Sequence, residues 1–147
     1  MTLKEKVRAV KLVILDVDGV MTDGSIYRGE GNLELKRFHV SDGAGVVLAR
    51  AAGLKLAVVS GRNSPATTSR MQELGITDVY NGTLNKLTPY EALKEKFQLR
   101  DEEIAYVGDD LVDLPVMERV GVPIAVANAY DPVKQIALYT TRAAGGE

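Results

Sequence analysis

Four short runs rich in β-branched residues constrain this chain more than any other feature: Lys11–Leu15, Leu54–Val59, Ile104–Val107 and Val122–Val126. Each is too short for a buried helix and lacks the polar alternation of a half-solvated strand. Each therefore predicts a strand covered on both faces, as parallel sheets require. Helix signals fall between them. Ser41 or Asp42 can cap a helix that runs to about Ala52 and stops at Gly53. Ser64-Pro65 opens another that ends near Gly75, and Thr88-Pro89-Tyr90-Glu91 has the form of a capping box with proline at the first helical position. Leu111 to about Val120 predicts a helix that tolerates Pro115 near its start. Asp78–Tyr80 adds a short strand, and Asp131-Pro132 opens a last helix before Leu138–Thr141. This alternation predicts a three-layer α/β sandwich with a mostly parallel, Rossmann-like sheet, as one domain over residues 1–147. One segment breaks it. Ser25–Arg28 and Leu33–Val40, joined across Gly29–Asn32, predict a β-hairpin over about 25–40 that projects from the region after the first strand.

Several chemistries are excluded by residue usage. There is no cysteine and one histidine, His39, so thiol catalysis, disulfides, cysteine-ligated zinc and multi-histidine metal sites are all out. Any metal must use oxygen ligands, which points to magnesium or calcium. Eighteen Lys and Arg against twenty Asp and Glu leave a net charge of -2, with no electrostatic footprint for nucleic acid or an anionic membrane. No run approaches the ~20 apolar residues of a membrane helix. The segment Met1–Arg8 is polar and mixed in charge, unlike a signal peptide, so a cytoplasmic location is expected.

In an open α/β sheet, ligands sit outside the carboxyl ends of the strands, so the polar residues there are the candidates. Asp16 and Asp18-Gly19 follow the first strand, Ser60-Gly61-Arg62 the second, and Asn81 to Lys86 the short one. Gly108-Asp109-Asp110 comes next, with Asp113 one helical turn on. Carboxylates gathered without histidine or cysteine repel one another unless a cation sits among them. An all-oxygen set suits Mg2+ together with a substrate phosphate. The Ser60 hydroxyl and Lys86 would meet the other phosphoryl oxygens, helped by a nest of N–H groups from Val17, Asp18 and Gly61. Asp16, its charge offset by metal and Lys86, is placed to attack phosphorus and form an aspartyl-phosphate. Asp18 can protonate the leaving alcohol and then deprotonate the hydrolytic water. Blander roles stand beside these. Asp113 could orient the following helix or touch substrate, and Asp110 could pair with Lys86 from behind the site. Arg62 and Arg70 could be solvated charges. His39 suits a hairpin end better than a catalyst, and Tyr27 and Phe38 suit packing or subunit contact.

Asp16–Gly24, Ser60–Arg62, Lys86 and Gly108–Asp113 resemble the four motifs of the haloacid dehalogenase superfamily, in its phosphatase branch. Phe38–Gly45, Ala105–Met117 and Tyr139–Gly146 are further similar to one subfamily, the 3-deoxy-D-manno-octulosonate 8-phosphate phosphatases. The similarity runs from about Lys11 to the end. It implies hydrolysis of that sugar-acid phosphate, with Asp16 as nucleophile and Asp18 as acid/base. Mg2+ would bind the Asp16 carboxylate, the Asp18 carbonyl and Asp109, while Ser60 and Lys86 hold the phosphoryl group. His39, Val40, Ser41, Asp42 and Gly43, with Gly61, Arg62 and Arg70, would face the substrate. Val47 stands where the subfamily often has a basic residue. The sequence ends at Glu147 where the subfamily's tail usually continues, so altered affinity or product release is expected, with the chemical step intact.

Many phosphatases of this superfamily close a cap domain over the site. Neither Asp23–Leu54 nor Arg62–Lys86 is long enough to house one, so a capless form is expected. Ile26, Leu33, Leu35 and Phe38 put apolar residues on a hairpin too small to be stable alone. The resemblance implies a homotetramer built through it. Two alternatives stand: a phosphatase for a nine-carbon sugar-acid 9-phosphate, and a non-catalytic oligomerisation module related to sugar-acid activating enzymes. A signalling receiver also carries an aspartyl-phosphate, but with its paired acids after the first strand and its acceptor after the third. Here the nucleophile follows the first strand and the paired acids follow the fourth, which excludes that class.

Overall fold

The apolar run after Lys11 forms β1 (Leu12–Leu15) in the middle of the sheet, in a computed structural model that describes residues 1–147. Leu12 and Ile14 are fully buried. β1 pairs in parallel with β4 (Lys55–Val59), Leu12 opposite Lys55, and with β6 (Ile104–Gly108), Leu12 opposite Ile104. Outside these lie β5 (Asp78–Tyr80), β7 (Val122–Ala125) and β8 (Tyr139–Thr140), giving the order β5-β4-β1-β6-β7-β8 with every pair parallel. The chain thus runs outward from β1 on one side, then returns to β6 on the other. With right-handed crossovers, α2 (Val40–Ala51) and α3 (Pro65–Glu73) cover one face. The opposite face is covered by α4 (Leu87–Phe97), α5 (Leu114–Met117) and α6 (Asp131–Ile136). This is the three-layer sandwich the alternation predicts. Its core is one cluster of 24 buried residues that includes Leu12, Ile14, Met71, Leu93 and Tyr106. Burying each large apolar side chain contributes about 1.5–3 kcal/mol.

Local corrections have local causes. α2 begins at Val40, with His39 as its cap: the ring Nδ1 accepts from the Ser41 N–H at 3.0 Å. Ser41 and Asp42, the expected caps, therefore lie inside the first turn of the helix, and Val40 is not a strand residue. The Thr88 capping box does not form. α4 starts two residues sooner, with Lys86 at its N-cap and no side-chain cap bond, because an ammonium has no acceptor to offer the helix N–H groups. The helix expected from Leu111 to Val120 is a 3-10 turn over Leu111–Asp113 followed by the four-residue α5. An unforeseen helix, α1 (Leu3–Arg8), precedes β1, capped by Thr2 and Glu5 in a reciprocal box.

The hairpin is present but short. β2 (Tyr27–Arg28) and β3 (Glu34–Leu35) pair antiparallel, with a further bridge between Thr22 and Phe38. After the outward Leu35, the Lys36 side chain turns inward. Phe38 packs against the core of its own chain, so only Leu33 and Leu35 are left fully outside among the apolar residues expected to need a partner, with Ile26 half-buried.

Candidate active site

The carboxyl ends of β1 and β6 lie side by side, where the strand order reverses and α/β sheets leave a crevice. The Asp16 N–H continues the ladder by donating to the Val107 carbonyl at 3.1 Å, so its backbone position is fixed by the sheet. Oxygens of Asp16, Asp109 and Asp113 all lie within 4.8 Å of one another. Lys86 comes in from the start of α4, with Nζ 3.2 Å from Asp16 and 2.7 Å from Asp113, and 1% of its side chain exposed. Burial pushes the Asp16 carboxyl well above its ordinary value, helped by the charge of Asp113 and opposed by Lys86. Burial likewise raises Asp109, to about 6. Burial opposes the Lys86 charge, yet Asp16 and Asp113 outweigh it and hold the ammonium above its ordinary value.

Asp113 is the hub of this floor. Its Oδ2 accepts from the N–H of Asp109 at 3.0 Å and of Asp110 at 3.1 Å. Its Oδ1 accepts from Lys86 Nζ and from the buried Tyr106 hydroxyl. Both oxygens are spoken for, so Asp113 orients the loop after β6 and the lysine. Of its two open roles, the geometry favours orientation. Asp110 does not pair with Lys86: its carboxylate turns back to its own helix start and accepts from the Leu111 N–H.

The donors left for a cation are Asp16 and Asp109. Asp109 Oδ1 is buried and unpartnered. Gly19, at φ +84, lies so close that a Cβ there would stand 1.9 Å from Asp109 Oδ2. An all-oxygen set with an orphaned carboxylate oxygen fits Mg2+.

The other sequence candidates fall into two further groups. Asp18 stands away from the acid floor and pairs with Lys36, 2.8 Å distant. Arg62 reaches Glu34 on β3 at 2.9 Å, and Glu34 also accepts from the hydroxyl of Ser64, the cap of α3. On the α2 side, Asp42, Gly43 and Arg70 meet. A Cβ on Gly43 would lie 2.7 Å from Arg70 Nη2, so only glycine lets the guanidinium lie against this helix. Arg70 Nε and Asp42 Oδ2 are buried without hydrogen-bond partners, and the guanidinium sits over the Phe38 ring at 5.9 Å. Burial raises the Asp42 carboxyl, with His39 and Arg70 opposing. Ser60 is buried, its hydroxyl shared with the Arg62 backbone, and the Val17 N–H donates to Asp16 Oδ1, so it is withdrawn from any anion nest. Gly61 packs against Leu84, and Val40 points outward at 83% exposure.

Four neighbours of the site were not foreseen. Tyr106 looks like a core residue in an apolar run, and Lys36 and Glu34 look like solvated hairpin charges. Asn128 ties the loop after β1 to the chain end by donating to the Gly19 carbonyl at 3.1 Å and accepting from the Gly145 N–H at 2.8 Å. Its position between Ala127 and Ala129 gave no signal.

Comparison with known proteins agrees with this geometry. Residues 72–145 match the family model of haloacid dehalogenase-like hydrolases. The chain is 46% identical over 141 residues to the 3-deoxy-D-manno-octulosonate 8-phosphate phosphatase of Escherichia coli K12, covering 96% of this chain and 75% of that protein. The crystal structure of the corresponding Yersinia pestis phosphatase superposes with a TM-score of 0.94 at 42% identity, over 97% of this chain and 77% of that one. The Moraxella catarrhalis phosphatase, solved with magnesium ion, phosphate ion and a KDO molecule, gives 0.94 at 35% identity, over 97% of this chain and 82% of that one. With Asp16 following β1 at the centre of the sheet and further acids at the adjoining strand end, the chain belongs to the haloacid dehalogenase-like hydrolases, in the family of 3-deoxy-D-manno-octulosonate 8-phosphate phosphatases.

Proposed function

We propose that the protein is a single-domain, capless, Mg2+-dependent phosphatase that hydrolyses 3-deoxy-D-manno-octulosonate 8-phosphate to the free sugar acid and phosphate. The observation that carries this is the buried Asp16 beside the half-buried Asp109, set against a lysine locked by Asp113. Asp16 is the nucleophile: its carboxylate oxygen bonds to phosphorus as the bond from phosphorus to the sugar oxygen breaks. Asp18 gives that oxygen its proton. It then takes a proton from the water whose oxygen displaces Asp16 from phosphorus. Lys86 and the Ser60 hydroxyl hold the phosphoryl oxygens. Asp16, Asp109 and the Asp18 carbonyl would hold Mg2+, which when bound neutralises charge on the transferring group. His39, Ser41, Asp42, Gly43, Gly61, Arg62 and Arg70 face the substrate, and Arg70 is suited to a carboxylate because its Nε is buried and free.

The protein works in the cytoplasm as a homotetramer, with the exposed outer face of the hairpin covered by neighbouring subunits. No helix is long and apolar enough to cross a membrane, which fits that location. The test is turnover of the purified protein on the eight-carbon sugar-acid 8-phosphate, a nine-carbon sugar-acid 9-phosphate and a neutral hexose phosphate. The eight-carbon substrate should have the highest kcat/KM, chelation should abolish turnover, and Mg2+ should restore it. Full activity in excess chelator, or equal kcat/KM on the neutral hexose phosphate, would overturn the assignment.

A further inference from the structure

Lys36 is the one lysine of the hairpin that points inward, and none of its side chain is exposed. Its Nζ lies 2.8 Å from Asp18 Oδ1 and donates to the buried Thr67 hydroxyl on α3 at 3.3 Å. Glu34 Oε1 is more remote, at 4.0 Å. The ammonium thus joins the hairpin, the loop after β1 and α3 at one point. An ammonium taken wholly out of water is costly unless paired, so this lysine is held to its partner. No other cation pairs with Asp18. The hairpin has a separate anchor: Glu34 accepts from Ser64 Oγ at 2.7 Å and from Arg62 at 2.9 Å. Anchoring the hairpin is therefore not the task left to Lys36.

We propose that Lys36 is a positioning residue for Asp18. By gripping Oδ1 it fixes the carboxyl group in one orientation and leaves Oδ2 to carry the proton. This rests on the phosphatase assignment above. In the first step the proton on Asp18 Oδ2 passes to the sugar oxygen while that oxygen's bond to phosphorus breaks and the bond from Asp16 to phosphorus forms. In the second step a water oxygen bonds to phosphorus, its proton goes to Oδ2, and the Asp16 carboxylate leaves. Both transfers use the same oxygen, so a carboxyl group free to rotate loses effectiveness in both.

The leaving group separates this from a merely structural role. A sugar alkoxide must be protonated to depart, whereas p-nitrophenolate departs unprotonated. In the full chain, Lys36→Met should lower kcat on the sugar-acid phosphate by about 10²-fold, near the low end of what general acid–base catalysis supplies, with KM changed by no more than about threefold. On p-nitrophenyl phosphate the first turnover should survive and the second step should slow, so a burst of nitrophenolate equal to the enzyme appears. In an Asp18→Asn background, Lys36→Met should cost nothing further, because residues that act as a unit are non-additive. Lys36→Gln, read by the same leaving-group ratio, serves if the Met variant fails to fold. Near-native kcat on the sugar phosphate would overturn the proposal. So would equal losses on both leaving groups in the first turnover, or additive losses in the double variant. No turnover by the unmodified protein on any phosphate monoester would instead overturn the phosphatase assignment itself.

Discussion

Around Lys86, the ammonium meets Asp16 and Asp113, and Asp113 also takes the Tyr106 hydroxyl and two backbone N–H groups. On the outer side of the hairpin, Tyr27, Leu33 and Leu35 stand 51%, 54% and 56% exposed. The two regions are only a few residues apart, since Glu34 of β3 and Lys36 just beyond it face the site while Leu35 between them turns away. The floor is thus finished within one chain, while the rim is finished only on its inner side. Phosphoryl chemistry needs fixed charges, which a single fold can supply. Enclosure needs covering surface, and a contiguous apolar patch of this kind marks a contact with something else.

If that contrast is right, damage to the floor should far outweigh damage to the rim. Asp16→Asn should lower turnover by about 10⁴-fold or more, since it removes the proposed nucleophile of a covalent route. Thermal unfolding should show the variant folded, because the change removes one of several mutually repelling buried charges. Near-native turnover would move the nucleophile elsewhere. Lys86→Met comes next. Breaking a buried ion pair from one side typically costs about 3–5 kcal/mol, so urea unfolding should show a loss of that order. An unchanged midpoint would mean that the lysine does not hold the floor together.

Proton linkage gives a subtler probe. Burial raises the folded-state pKa of Asp109 from 3.8 to about 6 and that of Asp16 upward too. A folded acid with a raised pKa binds more protons than its unfolded form. Its contribution is therefore fully present below the unfolded value and lost as pH rises through about 6. Mg2+ should relieve this, so the Tm gained on adding Mg2+ should be larger at about pH 7.5 than at about pH 5. Equal gains at both pH values would sever the acids from the metal. The smallest effect belongs to the rim. Leu35→Glu should change the stability of the fold by no more than about 0.5 kcal/mol, as surface substitutions do, while light scattering shows dissociation and KM rises. A large loss of stability in the dissociated chain would show that the hairpin's outer face is packed after all.

The acids of the floor were legible because strand ends were legible: a β-branched run followed by Asp and Gly marks both the element and where its carboxyl end falls. Asp16 and Asp109 needed no more than that. The partners that fix them were not legible, for two different reasons. Tyr106 sits inside a buried strand, where sequence pattern cannot distinguish a ring that fills space from one whose hydroxyl meets Asp113. Lys36 stands among Glu34 and Arg37, in a stretch that looks solvated, and only the fold of the hairpin back over Asp18 turns it inward. Asp110 and Asp113 are one helical turn apart and chemically alike. Which of them reaches Lys86 depends on the 3-10 turn over Leu111–Asp113, a backbone detail that composition does not encode.

The place of β1 at the centre of the sheet also sets when the site can come into being. Its neighbours in the ladder are Lys55–Val58 on one side and Ile104–Val107 on the other, the latter joined to it only after most of the chain has been made. Asp109 and Asp113 follow that second neighbour. Non-local pairing of this sort is slow to form, because closure of the intervening chain precedes the contacts that reward it. A ribosome-bound chain that has emerged only as far as β5 therefore carries Asp16 on an open strand edge, with neither the second carboxylate nor its hub beside it. The acid floor is therefore completed late, with the docking of β6.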